Sequence, residues 1–332
     1  MWLPLRRRVV ENGAWTNETL IAVMQAHITN VVTHFKGICY AWHVVNEAVD
    51  DTNDANYRDT VFFRTIGPAY IPIAFSTAAA ADKDVKLYYT DYGIETSANK
   101  ATAAVKIVQN LQARGIKIDG VGLQGHNIVG STPSRSALAT SLRKFTALGL
   151  EAAWTEVEIR HSKLPPSASD LQRQSDDYAA LVGACLDVKE CVGVTVWQFT
   201  DKYNWVPQSF PTEGDACLWS KDYQRRPAYD GIVNLLRATI KRHGEYHVGC
   251  CCETAGTHGG GVPWGGSLCV VASLKGYSWM YVRVPRYLDN CRILSAPSST
   301  QQASFADVLL DGPLTRLSKR RAISWFIRTI LR

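Results

Sequence analysis

Glu47 stands near the end of the stretch 41–50, AWHVVNEAVD, where apolar residues give way to an Asn–Glu pair and then to Asp50 and Asp51. A buried strand that delivers a polar pair to the edge of a core has this pattern, and a carboxylate placed there can give or take a proton. Most glutamates are solvated surface residues, so one at a strand end needs a partner before it suggests chemistry. The strongest partner is Glu156 in WTEVEIRH. Glu156 and Glu158 fall on the same side of a strand because side chains alternate with period two. One can face a site while the other pairs with a cation such as Arg160 or His161. Two carboxyls on opposite walls of a cleft are the usual equipment for breaking a glycosidic bond: one protonates the leaving oxygen, and the other attacks the anomeric carbon or activates water. Trp197, Trp205, Trp219, Tyr89 and Tyr92 fall near the same rim, where flat ring faces stack on pyranose rings.

The elements that must position these residues alternate along the chain. Residues 18–35 place Leu20, Met24, Ile28, Val31, Val32 and Phe35 at helical spacing, with Gly37 as a stop signal. Further helices are predicted over 60–81, 97–114, 134–148, 170–186 and 229–237. Strands are predicted over 38–45, 85–89, 118–124, 152–159 and 192–200. Strands that recur five times, separated by helix-length connections, make a parallel α/β pattern. An open doubly wound sheet would carry a Gly-rich phosphate turn, and no GxGxxG or GxxxxGK follows the first strands. The polar residues Asn46, Glu47, Asp91, Tyr92, Gln124, His126, Glu156 and Trp197 instead gather at the carboxyl ends of strands. In a (β/α)8 TIM barrel those ends share one face and line one site, so the barrel is the expected fold.

Composition narrows the classes further. The chain has 332 residues, 46% hydrophobic and 20% charged, with a net charge of +6. Residues 239–332 hold 12 basic and 5 acidic side chains, against 24 and 25 in residues 1–238. The main body is therefore close to neutral and gives no reason to expect a nucleic-acid partner. No apolar run approaches a membrane span, and MWLPLRRRVVENG lacks the apolar core of a signal peptide. The nine cysteines show no zinc-site spacing, so no metal is expected. The interval between Cys185 and Cys191 permits a local disulfide and equally permits two free thiols.

Several blocks taken together identify a resemblance. In order, WTNETL, AWHVVNEA, RTIGPAYIPIAF, KLYYTDYGIE, IDGVGLQGH, WTEVEIR, CVGVTVWQFTDKYNWVP and RRPAYDGI resemble family 10 glycoside hydrolases, in their fungal endo-1,4-β-xylanase branch, over about residues 13–238. The resemblance implies a retaining hydrolase of xylan or xylo-oligosaccharides that needs no cofactor, with Glu47 as acid/base and Glu156 as nucleophile. In such an enzyme the two carboxyls lie about 5–5.5 Å apart. It further implies that Asn46 bonds the sugar 2-hydroxyl and that His126, with Gln124 nearby, holds and tunes Glu156. Trp197 and Trp205 would floor the subsites, and Tyr92 would also contact substrate. A disulfide between Cys185 and Cys191 and an extracellular site of action are implied as well.

The departures generate expectations of their own. His43 stands where the family has Asp, Thr90 where it has Asn, and Val157–Glu158 where it has Leu–Asp. His43 is expected to put a bulkier, potentially cationic ring beside the Glu47 strand. Only 37 residues precede Ile38, too few for three βα units, so residues 1–238 are expected to form a barrel lacking its N-terminal strands, poorly stable and inactive alone. An inactive carbohydrate-binding remnant is the alternative function. Residues 239–332, with CCC and GGG runs, do not resemble the family and read as disordered or wrongly joined sequence. Their last stretch, TRLSKRRAISWFIRTILR, has the spacing of a basic amphipathic helix.

Overall fold

A computed structural model describes residues 10–52, 56–243 and 280–282. Helix α1 (Asn17–His34) starts where the Thr16 hydroxyl accepts from the Thr19 N–H and the Thr19 hydroxyl accepts from the Thr16 N–H, a reciprocal cap. Its buried Leu20, Met24, Ile28 and Val32 are spaced to lie on one face, and burying each such side chain contributes about 1.5–3 kcal/mol. Strands β1 (Ala41–Asn46), β2 (Lys86–Asp91), β3 (Gly120–Leu123), β5 (Glu151–Arg160) and β6 (Cys191–Val196) form one sheet in that order, with every neighbouring pair parallel. Helices α4 (Ala98–Ala113), α5 (Arg135–Thr146) and α6 (Ala168–Leu186) follow β2, β3 and β5, and a four-residue α7 (Val206–Ser209) and α8 (Pro227–His243) follow β6.

The strands bury both faces. One continuous core joins Trp42, Leu87, Tyr89, Val121, Leu123 and Trp154 to the apolar faces of the helices. Ala41, Tyr88 and Ala153 form a second cluster, and period-two alternation places it on the opposite face of the sheet. Gly120 makes that cluster fit, since a Cβ there would lie 2.3 Å from the Tyr88 ring. Burial on both faces is the condition of parallel strands in a barrel wall.

Four features differ from the sequence expectation. The helix expected over 60–81 divides into α2 (Val61–Ile66) and α3 (Tyr70–Ala81), joined by a 3-10 turn over Gly67–Ala69. Gly67 takes φ 73° and Pro68 follows it, a pairing that ends one helix and starts the next. A short strand β4 (His126–Ile128) pairs parallel with the distal half of β5, setting His126 opposite Glu158. The closing helix α8 runs to His243, six residues beyond the expected end at 237. Residues 280–282 form β7, antiparallel to β6. The rest of the expectation for the tail, including its basic terminal helix, lies outside the described residues. The bond between Cys185 and Cys191 is formed and ties the end of α6 to the start of β6. Among the described residues, no helix is long and apolar enough to cross a membrane.

Candidate active site

Glu47 follows β1 directly. Its backbone adopts φ 55°, the left-handed region, which a non-glycine residue occupies only when its surroundings impose it. The imposing contacts are visible: the Glu47 N–H donates to the Thr90 carbonyl at 2.8 Å, and Arg58 Nε donates to the Glu47 carbonyl at 2.9 Å. Glu47 is 5% exposed and Glu156, within β5, is 7% exposed.

Gln124, just past β3, contacts the Glu47 carboxylate and the backbone of Glu156. Its side-chain amide donates to Glu47 Oε1 at 3.0 Å and to Asn46 Oδ1 at 2.9 Å, while its carbonyl accepts from the Glu156 N–H at 2.9 Å. The Gln124 side chain thus serves Glu47 and Asn46. His126 is the residue that holds Glu156, with Nε2 3.5 Å from its carboxylate and Nδ1 3.1 Å from Glu158. Burial alone would lower the His126 pKa, but hydrogen bonds to and the charges of Glu156 and Glu158 push it up to about 10. As a cation the ring donates from both nitrogens.

Glu156 and Glu158 thus do share one side of the strand, but the expected partners of Glu158 are engaged elsewhere. Glu158 meets His126 and, at 3.1 Å, Asn204 Nδ2. Arg160 pairs with Glu213 and lies 4.5 Å from the Phe210 ring centroid. His161 is packed beside Asp215 and Gln174. Glu158 thus reaches inward to the His126 ring that also contacts Glu156.

The aromatic residues divide into two groups. Trp205 packs edge-on against His126, with ring centroids 5.7 Å apart, and its buried indole N–H has no hydrogen-bond partner among the described residues. The Trp197 N–H donates to the Val157 carbonyl at 2.8 Å, which sets Trp197 beside the strand that carries Glu156. Tyr89, expected at the rim, is instead fully buried in the helix-facing core with its hydroxyl on Asp91. Tyr92 is clamped: its hydroxyl meets Arg58 and Asp51, and the Lys100 ammonium lies 3.7 Å from its ring centroid. Trp219 packs on Phe199 and on Tyr229 of α8. Asp201 fixes its loop through the Cys217 N–H and Arg226.

His43 is not the expected cation. Burial pushes its pKa down to about 4, leaving a neutral ring at neutral pH, stacked 6.4 Å from Tyr88. Arg58 and Asn204 were not foreseen, because Arg58 acts on the Glu47 backbone carbonyl and Asn204 on the carboxylate of Glu158, far away in sequence, and neither falls in a recognisable spacing. Among the described residues, no three His, Cys, Asp or Glu side chains are grouped as metal ligands.

A parallel α/β barrel wall with two buried strand-end carboxylates, one held by Gln124 and the other beside His126, defines a class of protein: barrels whose strand ends carry acids. Comparison with known sequences narrows the class. The profile described as glycosyl hydrolase family 10 matches residues 1–235, and the chain belongs to that family. It is 53% identical over 227 residues to endo-1,4-beta-xylanase 1 of Humicola insolens, covering 68% of this chain and 52% of that one. It is 52% identical over 229 residues to endo-1,4-beta-xylanase 5 of Pyricularia oryzae, covering 69% and 56%. The chain thus spans somewhat more than half the length of these relatives. The crystal structure of a GH10 xylanase from Bispora sp. MEY-1 with xylobiose superposes with a TM-score of 0.67 at 43% identity, covering 71% of this chain and 73% of that one. Family 10 barrels of this kind are the fold to which the sheet belongs.

Proposed function

We propose that the chain cleaves internal β-1,4-xylosidic bonds of xylan by a double displacement. The observation that carries this reading is the end of β3, where the Gln124 side chain holds the Glu47 carboxyl and His126, two residues on, meets the Glu156 carboxyl, which supports placing both carboxyls in one site. In the first step a Glu156 oxygen attacks the anomeric carbon, the glycosidic bond breaks, and Glu47 gives its proton to the leaving oxygen. In the second step Glu47 takes a proton from water, whose oxygen displaces Glu156 from the sugar. Asn46 accepts from Gln124 through Oδ1, which leaves its amide N–H groups to donate to the sugar 2-hydroxyl. Trp197 and Trp205 supply apolar walls for the ring, and the unpartnered Trp205 N–H favours a ligand acceptor nearby. Tyr92 acts through the clamp on the Glu47 loop and not as a stacking face. We place the catalytic module in residues 1–238, in keeping with the family match, and its site of action in an oxidising, extracellular setting, which the Cys185–Cys191 bond favours.

Reducing-sugar release from xylan, with proton NMR of the first product anomer, tests the reading. Release with the β-anomer appearing first is expected, and Glu47→Gln or Glu156→Gln should each lower the rate about 10²–10⁴-fold. Inversion at the anomeric carbon, or release indifferent to both substitutions, would sink the mechanism. A chain that binds xylan and releases nothing is a carbohydrate-binding protein instead.

A further inference from the structure

Beyond Trp205, the loop that follows β6 carries a second aromatic surface that the proposed chemistry does not use. Tyr203 and Tyr223 are 54% and 48% exposed, unusual for rings of this size without a task. Lys202 lies between them, its ammonium 5.6 Å from the Tyr203 centroid and 5.3 Å from the Tyr223 centroid, so the two rings are neighbours on one surface. Phe199 backs Tyr223 at 6.3 Å and is itself packed on Trp219 at 4.6 Å.

The surface is rigid. Thr200 Oγ1 donates to the Ser220 carbonyl at 2.6 Å, the Asp201 N–H donates to the Trp219 carbonyl at 3.1 Å, and Arg226 holds Asp201 at 2.8 Å. These bonds join the segment carrying Tyr203 to the segment carrying Tyr223. Tyr223 has φ 61°, where Gly or Asn would sit at less cost. An exposed tyrosine kept in a conformation that disfavours it, and held there by its N–H on the Ser220 carbonyl at 3.0 Å, points to a use for its ring. Fixed, half-exposed phenols that flank a cation suit a ligand with flat apolar faces and a carboxylate. They do not suit a broad apolar partner, because the rings are separated by a solvated charge.

We propose that Tyr203, Lys202 and Tyr223 form a second polysaccharide-binding site that takes a xylan segment bearing a uronic-acid side group. The tyrosine rings stack on the sugar faces, and Lys202 meets the uronate as a point charge. Rigid presentation keeps the ordering cost of binding low. The ligand class rests on the reading of the cleft as a xylan-cleaving site.

Affinity electrophoresis of the full 332-residue chain in native gels containing glucuronoxylan, neutral arabinoxylan or no polymer tests the site, on a Glu47→Gln, Glu156→Gln background that leaves the polymer intact. The parent should be retarded more by glucuronoxylan than by arabinoxylan. Tyr203→Ala with Tyr223→Asn, the latter chosen because Asn tolerates the left-handed backbone, should weaken apparent affinity about tenfold. Lys202→Glu, which leaves both rings in place, should abolish the preference for the acidic polymer, as should high salt on the parent. Unchanged retardation of the double tyrosine variant, or equal retardation of the parent by both polymers, overturns the proposal. Hydrolysis of short xylo-oligosaccharides by chains with Glu47 and Glu156 intact separates the two readings. If the chain cleaves them while the tyrosine changes leave retardation untouched, the second site alone falls. If it cleaves nothing yet shows tyrosine-dependent retardation, the hydrolase reading falls and the second site stands.

Discussion

Glu47 owes its backbone conformation to groups that never touch its carboxyl. The left-handed backbone at φ 55° costs on the order of 1–3 kcal/mol for a non-glycine residue, and the Arg58 fork opposes its relaxation. Nε holds the Glu47 carbonyl, while Nη2 holds the Val49 carbonyl at 3.0 Å and the Tyr92 hydroxyl at 2.9 Å. Arg58→Ala should therefore free the segment after β1 and lower kcat about 10- to 100-fold through misplacement of Glu47, with KM changed less than twofold. Arg58→Lys should recover little, because one ammonium cannot reproduce the planar fork. Steady-state kinetics on xylo-oligosaccharides separates the cases, and an equal fall in binding and turnover would contradict a positioning role. At this scale the carboxylates themselves were legible in the sequence, since strand-end polarity and period-two alternation locate Glu47, Glu156 and Glu158. Their partners were not. Arg58 is an ordinary loop arginine until the loop folds back onto β1, and nothing in the spacing distinguishes Asn204 or separates the buried Tyr89 from the half-buried Tyr92.

Among the elements, those read from periodicity match to within a few residues, because helices such as Asn17–His34 and Ala168–Leu186 carry both a hydroxyl cap and a buried stripe. The failures are physical as well. Residues 60–81 keep an apolar pattern across Gly67–Pro68, so hydrophobicity continues where the backbone does not. At three residues, β4 is too short to show any period, yet it sets His126 opposite Glu158. The Cys185–Cys191 bond acts at this scale, because it joins the last turn of α6 to the first residue of β6 across a separation of 6. Closing so short a loop restricts the unfolded chain modestly, about 2 kcal/mol by loop entropy. Reduction, or Cys185→Ser with Cys191→Ser, should lower the unfolding free energy by that amount, read as a lower denaturant midpoint at nearly unchanged slope. A larger loss would mean that the bond also organises the native junction between α6 and β6.

For the whole molecule, buried ionisable groups on both sides of neutrality set how stability depends on pH. Burial lowers His43 from 6.5 to about 4. Its contribution is complete above pH 6.5 and is lost as pH falls toward 4. Glu95, 6% exposed with neither carboxyl oxygen hydrogen-bonded among the described residues, is raised from 4.5 to about 7 by burial. Its contribution is complete below pH 4.5 and is lost as pH rises through 7. His126, raised from 6.5 to about 10, contributes fully below 6.5 and loses that contribution as pH climbs toward 10. Between pH 4.5 and 6.5 His43 and Glu95 oppose each other, but Asp91, raised by burial from 3.8 to about 6, adds a loss as pH rises, so stability should fall gently there. Above pH 7 the loss at His126 is unopposed by these groups and stability should decline further. Glu95→Gln keeps the shape of the side chain and removes its ionisation, so it should leave stability unchanged at pH 4. At pH 8 it should raise stability by on the order of 3 kcal/mol. Urea melts of parent and variant across pH 4–9 measure both limbs. A variant that gains equally at pH 4 and pH 8 would mean that Glu95 is strained by packing and not by its charge, and a parent most stable at pH 9 would remove His126 as the group that sets the alkaline limb.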